Sequence, residues 1–124
     1  MPELPEVETV KRTVAPSLEG RTISGVQIYL PKMVRPGKAA FAKGLKGRRI
    51  EELGRHGKLL LANLKGGGFL TIHLGMTGQL INAAKRPAAD HVHVAIAFAG
   101  QPEKLFFRDI RQFGKLTYCP DRAA

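Results

Sequence analysis

His91-Val92-His93-Val94-Ala95-Ile96-Ala97-Phe98 carries the clearest strand signal in the chain. Its strict alternation puts Val92, Val94, Ile96 and Phe98 on one face, the period of a half-buried strand. Downstream, Gly100 to Glu103 reads as a turn, Lys104 to Arg108 as a returning strand, and Lys115 to Tyr118 as a last one. Upstream the pattern repeats in Gln79 to Asn82, in Phe69 to Leu74 and in Lys58 to Leu64. Gly66-Gly67-Gly68 supplies a hairpin connection into the second of these. Arg48 to Leu53 forms another run, set off from Lys58 by Gly54-Arg55-His56-Gly57. Val26, Ile28 and Leu30, alternating with Gln27 and Tyr29, complete the set.

Only the beginning of the chain has a long helical period. Leu4, Val7, Val10, Val14 and Leu18 recur at three- and four-residue steps, with Glu8, Lys11 and Arg12 on the opposite face. Pro5 suits a first turn and Gly20 the position just past a helix end, while Pro16 should kink or tighten the last turn. Ala39 to Leu45 offers a second, short helix after a basic loop from Pro31 to Lys38. The expected fold is α+β: an N-terminal helix packed on a β-sandwich or flattened barrel of about eight mostly antiparallel strands. So many short strands need closure or a second layer. No internal repeat is present, and no helical second half follows the last strand.

A chain of 124 residues is one domain or a piece of a larger protein. Hydrophobic content of 44% suits a globular core. Twenty basic against ten acidic residues give a net charge of +10 and a pI near 10.3. That balance points to a polyanionic partner, since each phosphate neutralised releases condensed counterions. The single cysteine, Cys119, rules out an internal disulfide and a four-cysteine zinc site within the chain. No apolar run approaches the ~20 residues of a membrane span, and no signal peptide opens the sequence. The expectation is a soluble cytoplasmic protein.

Chemistry concentrates in three places. Met1-Pro2-Glu3-Leu4-Pro5-Glu6-Val7-Glu8 crowds prolines and carboxylates at the N-terminus. With Met1 removed, Pro2 carries a free secondary amine, which attacks a sugar carbon by the route a lysine amine uses. Glu3 and Glu6, three apart, share one side of a helix beginning here and can act as acid and base beside that amine. They can equally complement the helix dipole, at ~0.3–1 kcal/mol each, and residue type alone favours that plainer role. Lys58, after glycine-flanked Arg55-His56, opens an apolar strand, where it holds a phosphate or is simply solvated.

Two glycine-bounded segments follow. In Ile72-His73-Leu74-Gly75-Met76-Thr77-Gly78 a methionine sits at a loop tip, and unbranched apolar side chains serve as wedges between DNA bases. Phe107-Arg108-Asp109-Ile110-Arg111-Gln112-Phe113-Gly114 offers arginines and an aromatic: Arg111 can read a base edge and Phe113 stack, or Phe113 is core and Arg111 surface. His91 and His93, on one strand face, could join His73, His56 and Asp90 at a metal. Solvated or phosphate-facing histidines are the more ordinary reading.

Taken together, Pro2-Glu3-Leu4-Pro5-Glu6-Val7-Glu8-Thr9, His73-Leu74-Gly75-Met76 and Arg111-Gln112-Phe113-Gly114, in that order around Lys58, resemble the formamidopyrimidine-DNA glycosylase and endonuclease VIII family, in its oxidised-purine branch. The resemblance runs from Pro2 to about Tyr118. It implies base-excision repair by a bifunctional glycosylase and abasic-site lyase acting on 8-oxoguanine and formamidopyrimidines. Pro2 is then the amine that attacks C1′ and forms a Schiff base, followed by β- and δ-elimination. Glu3 assists ring opening, Glu6 supports it, and Lys58 lies beside the cleaved phosphates. His73 is expected on the DNA backbone, and His91 and Arg108 are expected among the DNA-binding residues. Met76, Arg111 and Phe113 fill the gap left by the flipped lesion. Gln112 and Ile110 depart from the arginine and proline often found in that loop.

The family's second half, a helix–two-turn–helix module and a four-cysteine zinc finger, is expected to be missing from this chain. No cofactor is expected here, with zinc belonging to that missing half. The implied partner is damaged double-stranded DNA, bound by a monomer in the bacterial cytosol, with no membrane involved. By itself the chain is expected to bind DNA weakly and to show little or no glycosylase activity. Two other classes stay open: a non-catalytic basic β module that binds nucleic acid, and a metal-dependent β-barrel enzyme using His91 and His93.

Overall fold

A computed structural model describes residues 4–88 and 90–120, and among these it shows nine strands and two α-helices. In chain order these are α1 (Leu4–Leu18), β1 (Ile23–Ile28), a 3₁₀ turn (Pro31–Met33), β2 (Val34–Arg35), α2 (Lys38–Leu45), β3 (Ile50–His56) and β4 (Leu59–Leu64). Then follow β5 (Phe69–His73), β6 (Gln79–Ala83), β7 (Val92–Phe98), β8 (Lys104–Arg108) and β9 (Lys115–Cys119). They form two sheets, of order β1-β7-β8-β6 and β2-β9-β5-β4-β3. Every named pairing is antiparallel except the short β2–β9 contact. The expected α+β sandwich is therefore the observed one. Its ninth strand is the two-residue β2, inside what the sequence reads as a basic loop. Among the described residues no helix is long and apolar enough to cross a membrane.

The inner faces of both sheets share one apolar core. Val7, Val14 and Leu18 of α1 enter it beside Leu60, Leu70, Ile72, Val94, Ile96 and Phe107, all buried. The helices close the open sides of the sandwich. α1 packs on β3 and β6, an outer strand of each sheet, and α2 on β1 and β2, the opposite outer strands. An uncovered sheet edge is a template for unwanted pairing, and here a helix lies along each pair. Pro16 does not break α1, which continues to Leu18; Glu19 N–H then bonds the Ala15 carbonyl at 2.9 Å.

Two sequence expectations need correction. β3 continues through Gly54-Arg55-His56, and His56 pairs with Leu59. Gly57-Lys58 alone forms the turn, so Lys58 is a turn residue rather than the first residue of a strand. In β7 the pairing with β8 slips between Val92 and Val94, leaving one extra residue on β7. Such a bulge rotates the residues before it. Val92 consequently packs with Ala95 and Phe106 in a second, smaller cluster, away from Val94, Ile96 and Phe98.

α2 contains a close approach that reverses a simple propensity argument. A Cβ on Gly44 would run into the Tyr118 ring, which packs on the bare backbone there. Replacing a glycine within a helix by alanine ordinarily stabilises, by up to roughly 0.5–1 kcal/mol. Gly44→Ala should instead destabilise, by about 1–3 kcal/mol, because Tyr118 is forced out of its packing. Denaturant unfolding of the variant checks this, and a raised midpoint would show that Tyr118 yields at no cost.

Candidate nucleic-acid interface

The sheet register brings segments distant in sequence to one end of the sandwich. Leu59, His73 and Lys115 lie in a row across β4, β5 and β9. The Gly57-Lys58 turn, the loop leaving His73 and the loop entering Lys115 are therefore neighbours. In the other sheet Arg108 pairs with both Gln79 and Val92, so the ends of β6, β7 and β8 meet at the same place. The beginning of α1 joins them: Glu8 accepts a hydrogen bond from Arg55 Nε at 2.9 Å, and Arg55 donates to the Gly57 carbonyl at 2.7 Å. Glu6, exposed in the first turn of α1, is on this end too. Pro2 and Glu3 lie outside the described residues.

The 74–78 and 109–114 loops are locked together by a buried carboxylate. Asp109 is fully buried. Its Oδ1 accepts from Thr77 Oγ1 at 2.5 Å and from the Arg111 N–H at 3.2 Å, and its Oδ2 from the Gly114 N–H at 2.7 Å. Burial by itself pushes this carboxyl upward; donation from Thr77, Gly114, Arg111 and Gln112 overrides it and holds the group below its ordinary value of 3.8. The backbones touch where this happens. A Cβ on Gly75 would lie 2.9 Å from Gly114 N, and one on Gly114 would lie 2.6 Å from the His73 carbonyl oxygen. Side chains at either position would push the loops apart.

What the loops present is apolar and cationic. Met76, Ile110 and Phe113 are 52%, 50% and 56% exposed, and they are the exposed large hydrophobics among the described residues. Phe113 is thus a surface group and not core, with the Arg111 guanidinium 5.2 Å from its ring centre. Gln112 between them has φ 59, a left-handed conformation uncommon outside glycine. Exposed apolar side chains gathered on two interlocked loops are what an interaction site presents, and an arginine over an aromatic suits stacking against bases.

The histidines separate into different roles. His93, read from the sequence as facing solvent or a metal with His91, is buried, and its Nε2 lies 2.8 Å from the Asp109 carbonyl. The β7 bulge turns it inward against Phe107, with ring centres 6.5 Å apart. His91 precedes β7 with φ 70, is exposed, and gives its carbonyl to the Asp109 N–H at 3.0 Å. His73 Nδ1 accepts from the Gly75 N–H at 3.2 Å, which assigns the neutral ring's proton to Nε2 and leaves that atom as a donor. Among the described residues no group of three His, Cys, Asp or Glu side chains is arranged to hold a metal.

Arg108 bridges strand ends, donating to the Asp90 carbonyl at 2.9 Å and to Gln79 Oε1 at 3.0 Å. Lys58 has neither a hydrogen-bond nor an ion-pair partner among the described residues. Glu8 is the opposite case. Arg55, then Arg12 and Lys11, hold its carboxyl at about 2 against an ordinary 4.5, more than offsetting its desolvation. Asp109, Thr77 and the Glu8–Arg55 contact are site features that the sequence does not announce, and His93 is a buried support rather than a metal ligand. Only Asp109 had a local signal: aspartate commonly caps the backbone N–H groups of a following turn.

The formamidopyrimidine-DNA glycosylase N-terminal domain family matches residues 1–116. A formamidopyrimidine-DNA glycosylase of Heliobacterium modesticaldum is 48% identical over 130 residues, covering 100% of this chain and 46% of that protein. Another, of Chloroflexus aurantiacus, is 48% identical over 118 residues, 94% of this chain and 42% of that protein. Among solved structures, Lactococcus lactis Fpg bound to DNA containing an abasic site matches with a TM-score of 0.87 at 33% identity, over 94% of this chain and 43% of that one. The same protein with DNA containing FAPY-dG matches with a TM-score of 0.87 at 33% identity, over 94% and 44%. The chain spans a little under half the length of these relatives.

Asp109 gives a direct test of the loop lock. Asp109→Asn leaves at least one buried N–H without its acceptor and should cost about 1–3 kcal/mol at neutral pH. Because folding lowers this carboxyl's pKa, the stability it contributes is present above 3.8 and lost as pH falls below that value. The gap between wild type and variant should therefore narrow in acid. Denaturant titrations at neutral and acid pH decide it, and a pH-independent gap would assign the loss to packing alone.

Proposed function

Since the chain belongs to the formamidopyrimidine-DNA glycosylase family, we propose that it serves base-excision repair of oxidised purines, as part of a glycosylase and abasic-site lyase acting on damaged duplex DNA. The observation that carries this reading is the convergence at one end of the sandwich. There the start of α1, the Lys58 turn and the interlocked 74–78 and 109–114 loops meet.

In this reading the Pro2 amine, freed by removal of Met1, attacks C1′ of the damaged nucleoside. The glycosidic bond breaks toward the departing base, and the amine remains joined to the sugar as an iminium. That cation is the electron sink for β- and δ-elimination. Glu3 moves protons during ring opening and Glu6 supports it, while Lys58, His73, His91 and Arg108 hold phosphates. Flipping a nucleotide costs a few kcal/mol of lost stacking and pairing. Met76, Arg111 and Phe113, held out from the surface by the Asp109 lock, enter the vacated space and offset part of that cost.

The family's four-cysteine zinc site does not fit this chain, whose one cysteine is Cys119. We assign no cofactor to it and place that zinc in the part of the relatives' length beyond this match. We propose that the protein works on the nucleoid in the bacterial cytosol, a reading that its bacterial relatives support. We propose that residues 1–124 by themselves grip DNA weakly.

Borohydride trapping on an oligonucleotide with an abasic site tests the reading, at low salt to favour weak binding. The wild type, with Met1 removed, should form a covalent adduct and Pro2→Gly none. Glu3→Gln should slow trapping by about 10²–10⁴-fold. Absence of any adduct from the wild type would sink the proposal in favour of a non-catalytic binding module. Equal trapping by Pro2→Gly would move the nucleophile elsewhere.

A further inference from the structure

The ionic cluster on the first turns of α1 contains one member that is not local. Lys11 and Arg12 reach Glu8 along the same helix, at 3.4 and 3.0 Å. Arg55 comes from the end of β3, 47 residues away in sequence. It also uses a second nitrogen, bonding Glu8 Oε1 at 2.9 Å through Nε and the Gly57 carbonyl at 2.7 Å through a terminal nitrogen. Both side chains are only partly shielded from water, with 30% side-chain exposure for Arg55 and 26% for Glu8. The Gly57 carbonyl belongs to the peptide group whose nitrogen is that of Lys58. Arg55 thus holds the orientation of the peptide plane that launches the Lys58 side chain.

We propose that Arg55 is a positioning residue for Lys58: by joining Glu8 of α1 to the Gly57 carbonyl, it fixes the ammonium-bearing turn relative to the start of that helix. The geometric claim stands on the contacts above; its catalytic consequence rests on the reading that Lys58 works beside the Pro2 amine. A planar guanidinium suits the task because its N–H groups diverge in fixed directions, so one residue serves two acceptors at a set angle. A lysine there could keep the charge pair with Glu8 or the carbonyl bond, without the rigid angle between them. The pairing survives ordinary acidity, since Glu8 stays ionised until pH nears about 2. An exposed ion pair adds little to stability, so the contact's main effect is on where Lys58 sits.

The test compares the wild-type chain with Arg55→Lys, Arg55→Gln and Glu8→Gln. Amide order parameters from ¹⁵N relaxation are read first, and they need no activity. The proposal expects Gly57 and Lys58 to lose order in all three variants, with other amides and the unfolding midpoint unchanged. Undiminished order at both residues in Arg55→Lys and Arg55→Gln overturns it. Single-turnover borohydride trapping on the abasic oligonucleotide is the second readout. A misplaced group slows a reaction by up to ~10²-fold, so the trapping rate at saturation should fall by about 10- to 100-fold. The apparent Kd should stay within about twofold, the mark of an interaction acting on the reaction rather than on binding. Full rescue by Arg55→Lys, or a change in Kd alone, overturns positioning in favour of simple charge. If the wild type forms no adduct, the functional reading fails while the order parameters still decide the geometric claim.

Discussion

Everything at the functional end of this protein depends on a carboxylate with no access to water. Asp109 draws Thr77 from one loop and the Arg111 and Gly114 amides from another onto its two oxygens. An ionised group in that setting is tolerated only when its lone pairs are used. The requirement is strict, and it dictates the rest: Gly75 and Gly114 must be small for the backbones to meet, and the chain must turn sharply at Gln112. The exposed Met76, Arg111 and Phe113 follow from that arrangement.

The two helices extend the same logic to the whole domain. Each lies along one open side of the sandwich and joins an outer strand of one sheet to an outer strand of the other. α1 therefore has a double position, in the core through Val7, Val14 and Leu18, and at the functional end through Glu8. A helix anchored along its length in this way presents its first turn in a fixed place. Glu19 adds a further tether, accepting from the Leu53 N–H at 2.8 Å.

How much of this could be read from the sequence depended on the range of the cause. Local periodicity located α1, α2 and the long strands, because burial of Val7 or Ile96 follows from spacing along a single element. Val92 and His93 were misassigned because the bulge that turns them arises from pairing with β8, and alternation within β7 carries no trace of it. Lys58 moved by one position because Gly54-Arg55-His56 looks like a loop until β4 pairs with it. The three motif segments were legible as chemistry, yet their meeting at one end follows from sheet register. Asp109 shows the limit most clearly: one aspartate at a loop start looks solvated, and only the approach of two glycines buries it. The amine at Pro2 lies outside the described residues, so its place in the reading comes from the sequence.

The exposed trio of Met76, Ile110 and Phe113 has a consequence for the free protein in solution. Apolar loop tips would pair tip to tip between copies if nothing opposed them, and partial self-association would hide the surface meant for a partner. The excess of ten positive charges opposes this. Like-charged copies repel at long range before the short-range apolar attraction can act, whereas a polyanion is drawn in. The basic composition therefore provides colloidal protection as well as affinity. The same charge that draws phosphate also keeps the hydrophobic tips separate until a phosphate backbone arrives.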